Sequence, residues 1–255
     1  MVEKMLPNRV LLKLSGEVLR GIYDEGRTSP DTPKPWIYNR AATDFIAGEI
    51  KSAHPAYEIA GILGGGNILR GTQVKNELNI DGVIADDMGM LATVMNALAF
   101  KDVLERHYQT EARVMTALEM RDIAEKYIRG RAKRHLGKGR VVLLACGIGK
   151  PDFTTDTAMI QYAHELKAGI ILKGTKVDGI YESDPVKNPG AKKLPRVSYG
   201  EYLTRGLKIV DDTAVTQAAK HGFTIRIFNI FKKGNLQRIL AGEDIGSVIS
   251  SEGGA

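Results

Sequence analysis

Val10-Leu11-Leu12-Lys13-Leu14-Ser15-Gly16-Glu17 sets a short apolar run against a glycine turn. The same arrangement recurs twice. Residues 57–63 are apolar-rich and run into Gly64-Gly65-Gly66-Asn67. Residues 140–146 run into Gly147-Ile148-Gly149-Lys150-Pro151, which leads to Thr154-Thr155-Asp156. Nearly continuous apolar strands are those covered on both faces, as in a parallel sheet. In an open α/β sheet, ligands gather outside the carboxyl ends of the strands, where these three turns would meet. Glycine lets backbone N–H groups approach an anion closely, and a following helix N-terminus adds partial positive charge.

Working outward, further strands are expected at 112–116, 169–172 and 224–228, with a short last one at Val248-Ile249. Helical periodicity marks 87–106, 120–135, 155–167 and 211–221. Alternation of the two element types predicts an α/β fold, three layers deep, with a largely parallel central sheet. Residues 21–35 and 183–195, rich in proline, glycine and charge, read as exposed loops, and no internal repeat is present.

The chain has 255 residues, 43% hydrophobic and 26% charged, which sets aside disordered and low-complexity classes. Its one cysteine, Cys146, excludes an internal disulfide framework and a cysteine-rich zinc site, and fits a reducing cytoplasm. No apolar run is read as approaching the roughly 18 residues of a membrane span, and the first residues lack a signal-peptide core. The net charge of +6 raises the question of nucleic acid. The densest basic stretch, 129–140, has no aromatic residue for base stacking and reads as a solvated helix end. A modest positive field also suits small anionic substrates.

Several phosphate motifs are absent. Gly149-Lys150 is followed by Pro151, and Leu144 stands where a Walker A loop would begin. No Gly-x-Gly-x-x-Gly follows a strand, and the protein-kinase triplets are missing. The five histidines are scattered and no His-Glu-x-x-His occurs, so no resident metal site is read. A metal here would be Mg²⁺ held by phosphate oxygens and carboxylates.

Five segments carry a specific resemblance: the Lys13-Leu14-Ser15-Gly16-Glu17 turn, Gly64-Gly65-Gly66-Asn67 with Arg70, residues 86–99, Thr154-Thr155-Asp156, and residues 173–185. In order, and over nearly the whole chain, they resemble the bacterial UMP kinases of the amino acid kinase superfamily. That resemblance implies one amino-acid-kinase-like domain over 1–255, the acceptor nucleotide mainly on 1–165 and ATP mainly on 166–255. It implies transfer of the γ-phosphoryl of ATP to UMP with Mg²⁺, in pyrimidine nucleotide biosynthesis. It also implies a homohexamer with GTP and UTP as effectors.

The resemblance assigns catalytic roles to Lys13, Asp156, Lys173 and Asp211. The transition state is loose and highly anionic, so such groups act by position and charge. Lys13, Leu14, Ser15, Gly16, Gly66, Arg70, Thr175, Tyr181 and Asp184 fall on the ATP side. Gly65, Asp86, Ile148, Gly149, Lys150, Pro151, Asp152, Phe153, Thr154 and Thr155 fall on the UMP side. The third turn departs from the usual Gly-Thr-Gly-Asn-Pro-Phe-Phe-Thr-Thr-Asp. Ile148 lacks a hydroxyl, and Lys150 and Asp152 replace an amide and an aromatic. The change bears on which monophosphate is accepted. Two alternatives stay open: the same fold with another acceptor, or a non-catalytic protein binding nucleotide or anion.

Overall fold

Alternate residues of the first strand bury on opposite sides. Val10, Leu12 and Leu14 pack into one apolar cluster and Leu11 into another. A strand does this only when both faces of its sheet are covered. The computed structural model describes residues 5–21, 37–185 and 187–253. Its first half runs β1 (Leu6–Leu14), α1 (Glu17–Arg20), α2 (Arg40–Ala53), β2 (Glu58–Leu63), α3 (Gly71–Leu78), α4 (Gly82–Tyr108), β3 (Ala112–Thr116), β4 (Glu125–Lys126), α5 (Arg129–Gly137) and β5 (Val141–Ala145). Its second half runs α6 (Thr155–Leu166), β6 (Ala168–Thr175), β7 (Ile180–Tyr181), β8 (Lys193–Leu194), β9 (Arg196–Ser198), α7 (Tyr199–Thr204), α8 (Asp212–His221), β10 (Ile225–Asn229), α9 (Asn235–Leu240) and β11 (Ser247–Ser250).

Nine strands form one sheet in the order β4-β3-β5-β2-β1-β6-β10-β11-β9. Every pairing is parallel except β10 with β11. One face is covered by α2, α4 and α9 through residues such as Ile46, Phe100 and Leu236. The other is covered by α5, α6, α7 and α8 through residues such as Leu136, Ile160, Tyr202 and Val215. The expected three-layer α/β/α sandwich is present, with β1 at its centre, flanked by β2 and β6.

Three expectations need correction. The helix expected over 120–135 is confined to α5. Residues 125–126 pair instead with β3, and Tyr127 N–H donates to Thr116 O at 2.9 Å, so strand pairing overrides the helical spacing there. The basic stretch is therefore a helix in its own right, with Arg129, Gly130 and Lys133 to Arg134 facing outward around buried Ala132 and Leu136. Residues 183–195 are also not all loop, because β8 pairs with β7 as a small hairpin. The loop expected at 21–35 falls almost entirely outside the described residues.

The third correction concerns α4. Its 27 residues include an 18-residue window of mean hydropathy 1.4, long and apolar enough by length and composition to cross a membrane. One side of it explains that composition: Met90, Val94, Ala97, Phe100 and Leu104 are buried on the sheet. The other side leaves Val83, Ile84, Leu91 and Met95 about half exposed.

Candidate active site

Lys13 and Lys173 are register partners on adjacent parallel strands β1 and β6, and both point to the face covered by α6. Asp156 lies in the first turn of α6, where Thr154 caps the helix by accepting from Asp156 N at 3.0 Å. The helix start thus delivers one carboxylate to two lysines. Lys13 Nζ stands 2.8 Å from Asp156 Oδ1, and Lys173 Nζ stands 2.5 Å from Oδ2. Lys173 also donates to Ile209 O. All three side chains are buried.

Two ammonium groups on one carboxylate leave the cluster with one surplus positive charge inside a dry setting. Burial pushes the Asp156 carboxyl up, but Lys13 and Lys173 outweigh it and hold it at about 2. Burial and the charge of Lys13 push Lys173 down to about 8, against the opposing pull of Asp156. A buried site with surplus positive charge is complementary to an anion, above all one bearing several charges.

The first two glycine turns meet beside this cluster. A Cβ on Gly16 would lie 2.4 Å from Gly64 O and 2.8 Å from Gly66 N, so only glycine permits the approach. Gly65 is similarly tight against Gly89 O and Ala92. Buried Asn67 and Asn96 brace the second turn: Asn96 Nδ2 donates to Gly64 O at 2.6 Å and to Asn67 Oδ1 at 2.7 Å.

Three cavities open along the carboxyl ends of the strands. The central one, about 320 Å³, is lined by Lys13, Thr154, Thr155, Asp156, Lys208 and Asp211. A second, about 150 Å³, is lined by Gly65, Gly66, Asp86, Lys150, Phe153 and Thr155, among others. The third, about 420 Å³, includes Tyr181, Asp184, Arg205 and Lys208. Thr155 belongs to the first two and Lys208 to the first and third, so the cavities form a row with the lysine–aspartate cluster at its middle.

The expected residues separate accordingly. Asp86, in the first turns of α4, accepts from Asp152 N–H at 2.8 Å and so ties the third glycine turn to α4. Asp211 caps α8 by accepting from Ala214 N at 2.7 Å and takes hydroxyl hydrogen bonds from Thr154 and Thr157. It holds the start of α6 against α8 beside the central cavity.

Others stand differently from expectation. Leu14 is a core side chain, so only its backbone faces the turns, where its carbonyl accepts from Gly64 N at 2.9 Å. Arg70 is half-exposed and paired with Glu17 rather than reaching the lysine cluster. The Thr175 hydroxyl closes the turn out of β6, donating to Val177 O at 2.9 Å. The Ile148 side chain packs toward the core on the α6 side.

Residues not singled out by sequence also bear on the site. Thr93 accepts from Cys146 N–H at 2.8 Å, and the Tyr162 hydroxyl donates to Gly147 O at 2.8 Å. Arg205 and Lys208 line the third cavity. Among the described residues no group of three or more His, Cys, Asp or Glu side chains is placed to hold a metal ion.

The model of the amino acid kinase family matches residues 8–229. A curated uridylate kinase from Methylococcus capsulatus is 44% identical over 241 residues, covering 94% of this chain and 96% of that protein. Among solved structures, a UMP kinase from Bacillus anthracis superposes with a TM-score of 0.85 at 34% identity, covering 96% of each chain. A UMP kinase from Ureaplasma parvum superposes with a TM-score of 0.82 at 29% identity, covering 98% of this chain and all of that one.

Proposed function

The chain belongs to the amino acid kinase family, and on that premise we infer that it is a UMP kinase, transferring the γ-phosphoryl of ATP to UMP. The observation that carries this reading is the buried Lys13–Asp156–Lys173 cluster between two openings at the carboxyl ends of the strands. UMP takes the cavity of Gly65, Asp86, Phe153 and Thr155, and ATP takes that of Tyr181 and Asp184. The two nucleotides then face each other over Lys13. The acceptor half is mainly 1–165 and the ATP half mainly 166–255 of one domain.

Phosphoryl transfer through a loose transition state asks chiefly for alignment and charge neutralisation. Lys13 and Lys173 supply the positive charge, and Asp156 fixes both ammonium groups so that no reorganisation is needed during transfer. The acceptor is a phosphate oxygen already ionised near neutral pH, so no strong general base is required. Both Asp156 oxygens face lysines, and among the described residues no group of three or more His, Cys, Asp or Glu side chains is placed to hold a metal ion. This donor set suits a Mg²⁺ that arrives on the phosphates of ATP and is held mainly by them.

The half-exposed apolar stripe Ile84, Leu91 and Met95 on α4 suits burial in a homo-oligomer, which the resemblance makes a hexamer. Consumption of ATP by a chain with one buried cysteine suits the cytoplasm and the synthesis of pyrimidine nucleotides. GTP and UTP are the effectors to add to the assay, and light scattering reads the assembly.

The deciding experiment is Mg²⁺-dependent ADP release from ATP with UMP, and with CMP in parallel. Rapid turnover on UMP alone is expected. Binding of ATP without turnover on either nucleotide would move the site to another acceptor or to binding alone.

A further inference from the structure

The third glycine turn holds an unusual backbone. Cys146 (φ 65°), Gly147 (φ 51°), Gly149 (φ 73°) and Asp152 (φ 64°) all lie in the left-handed region. For Cys146 and Asp152, which carry a Cβ, that conformation persists only when the surroundings fix it. Three side chains do so. Thr93 accepts the Cys146 N–H, Asp86 accepts the Asp152 N–H, and Tyr162 donates its hydroxyl to Gly147 O at 2.8 Å.

Tyr162 is the member with no place in the chemistry so far. It is buried to 4% exposure in the middle of α6. Its ring packs edge-on to Tyr127 at 4.7 Å between centroids, and the Tyr127 hydroxyl is anchored to Glu165 at 2.7 Å. Burial raises the pKa of the Tyr162 hydroxyl well above its ordinary value, so it remains a donor. It has one carbonyl to serve, and that carbonyl is in the peptide joining Gly147 to Ile148.

A trans peptide points its N–H opposite its C=O. With Gly147 O held toward α6, the Ile148 N–H is turned to the opposite side, and the residues that flank it, Gly147 and Lys150, line the cavity of Asp86. Among the described residues that N–H has no protein partner. Ile148 brings no hydroxyl, and its side chain packs toward the core. The backbone donor is therefore what position 148 offers a ligand.

We propose that Tyr162 is a positioning residue that aims the Ile148 peptide N–H at the acceptor nucleotide. The proposal rests on the reading of this cavity as the UMP side. It assigns the contact to a donor that meets an acceptor atom, a base carbonyl or a phosphate oxygen.

The test is Tyr162→Phe, which removes one hydroxyl and leaves the ring, with Tyr127→Phe as its companion in the same aromatic pair. Tyr162→Phe is expected to raise KM for UMP about fivefold, the effect of one neutral hydrogen bond, with kcat and KM for ATP changed by less than about twofold. Tyr127→Phe, which touches Glu165 and not the turn, is expected to leave KM for UMP unchanged. An unchanged KM in Tyr162→Phe, or an equal rise in both variants, overturns the proposal. Asp86→Ala separates the two levels. If it raises KM for UMP while Tyr162→Phe does not, only the role of Tyr162 falls; if neither does, the assignment of the cavity falls. Hydrogen exchange in the unmodified protein tests the donor directly. Adding UMP should slow exchange in the peptide containing Ile148, and no change there would also overturn the proposal.

Discussion

Lys13 and Lys173 occupy the same rung of β1 and β6 and close on opposite oxygens of Asp156, at 2.8 and 2.5 Å. The pairing of two neighbouring strands in register places the two lysine stems side by side, 160 residues apart in the chain. Removing a cation and removing the anion alter the charge balance in opposite directions. Lys13→Ala leaves Lys173 and Asp156 as a one-to-one pair, so the fold should persist. Turnover should fall by about a hundredfold or more, as when one preorganised charge-stabilising group is lost. Asp156→Ala leaves two ammonium groups without a counter-charge, and should lower turnover by a similar factor. Circular dichroism and steady-state kinetics read both. Near-normal turnover in a folded variant would remove that residue from the reaction.

The surplus charge also sets a pH dependence. Lys173 titrates near 8 in the folded protein against an ordinary 10.5, pushed down by burial and by Lys13. If transfer needs both lysines charged, kcat/KM for ATP should decline above about pH 8. Lys13→Ala removes one of the causes, so the same limb should move to higher pH. A wild-type profile flat to pH 9.5 would contradict the role of Lys173. Stability should move the other way. Between about 8 and 10.5 the unfolded chain binds the proton that the folded chain has released, so this lysine's contribution grows with pH. Asp156 acts at the acid end. Its pKa is held near 2 against 3.8, so its contribution is full above about 3.8 and is lost as pH falls toward 2.

Much of this arrangement was legible in one dimension. The three turns that follow strands located the carboxyl ends of the sheet, and the motifs around Lys13, Asp156 and Lys173 named the cluster. What the sequence could not express was the rung shared by Lys13 and Lys173, since register depends on how strands pair. Thr93 and Tyr162 were invisible for another reason: each sits on a helix whose spacing marks it as core. α3 escaped because its apolar stripe is only Val74 and Leu78, too short to mark a helix, and none of its residues is buried. α2 did carry a signal, with Asn39 capping Ala42 N and Ala42, Ile46, Ala47 and Ile50 at helical spacing. The overlong helix at 120–135 shows the converse, a helical pattern overruled by pairing with β3.

Asp86 joins the first turns of α4 to the third glycine turn by accepting from Asp152 N–H at 2.8 Å. Its substitution should therefore act on the acceptor and not on ATP. In Asp86→Ala the left-handed Asp152 loses its anchor, and the cavity loses a carboxylate suited to ribose hydroxyls. KM for UMP should rise by about tenfold or more, the scale of a lost hydrogen bond to a charged group, with KM for ATP held within about twofold. Calorimetric titration of UMP reads the change without turnover. Unchanged UMP affinity would remove Asp86 from the acceptor site.

Gly16 and Gly66 separate packing from ligand contact. A Cβ on Gly16 would lie 2.4 Å from Gly64 O and 2.8 Å from Gly66 N, both backbone atoms that cannot rotate aside. Gly16→Ala must push the first two turns apart. It should cost about 1–3 kcal/mol of stability, the usual range for overpacking, and lower turnover by displacing the strand end that carries Lys13. At Gly66 the nearest atom to a new Cβ is the Glu17 carboxylate oxygen at 3.8 Å, an ordinary contact. Gly66→Ala should therefore melt at the wild-type temperature while raising KM for UMP, because Gly66, expected from the resemblance on the ATP side, lines the cavity of Asp86 instead. Equal melting temperatures for both variants would contradict the close approach of the two turns. A wild-type KM for UMP in Gly66→Ala would take Gly66 out of the acceptor cavity and leave the second turn a brace for the first.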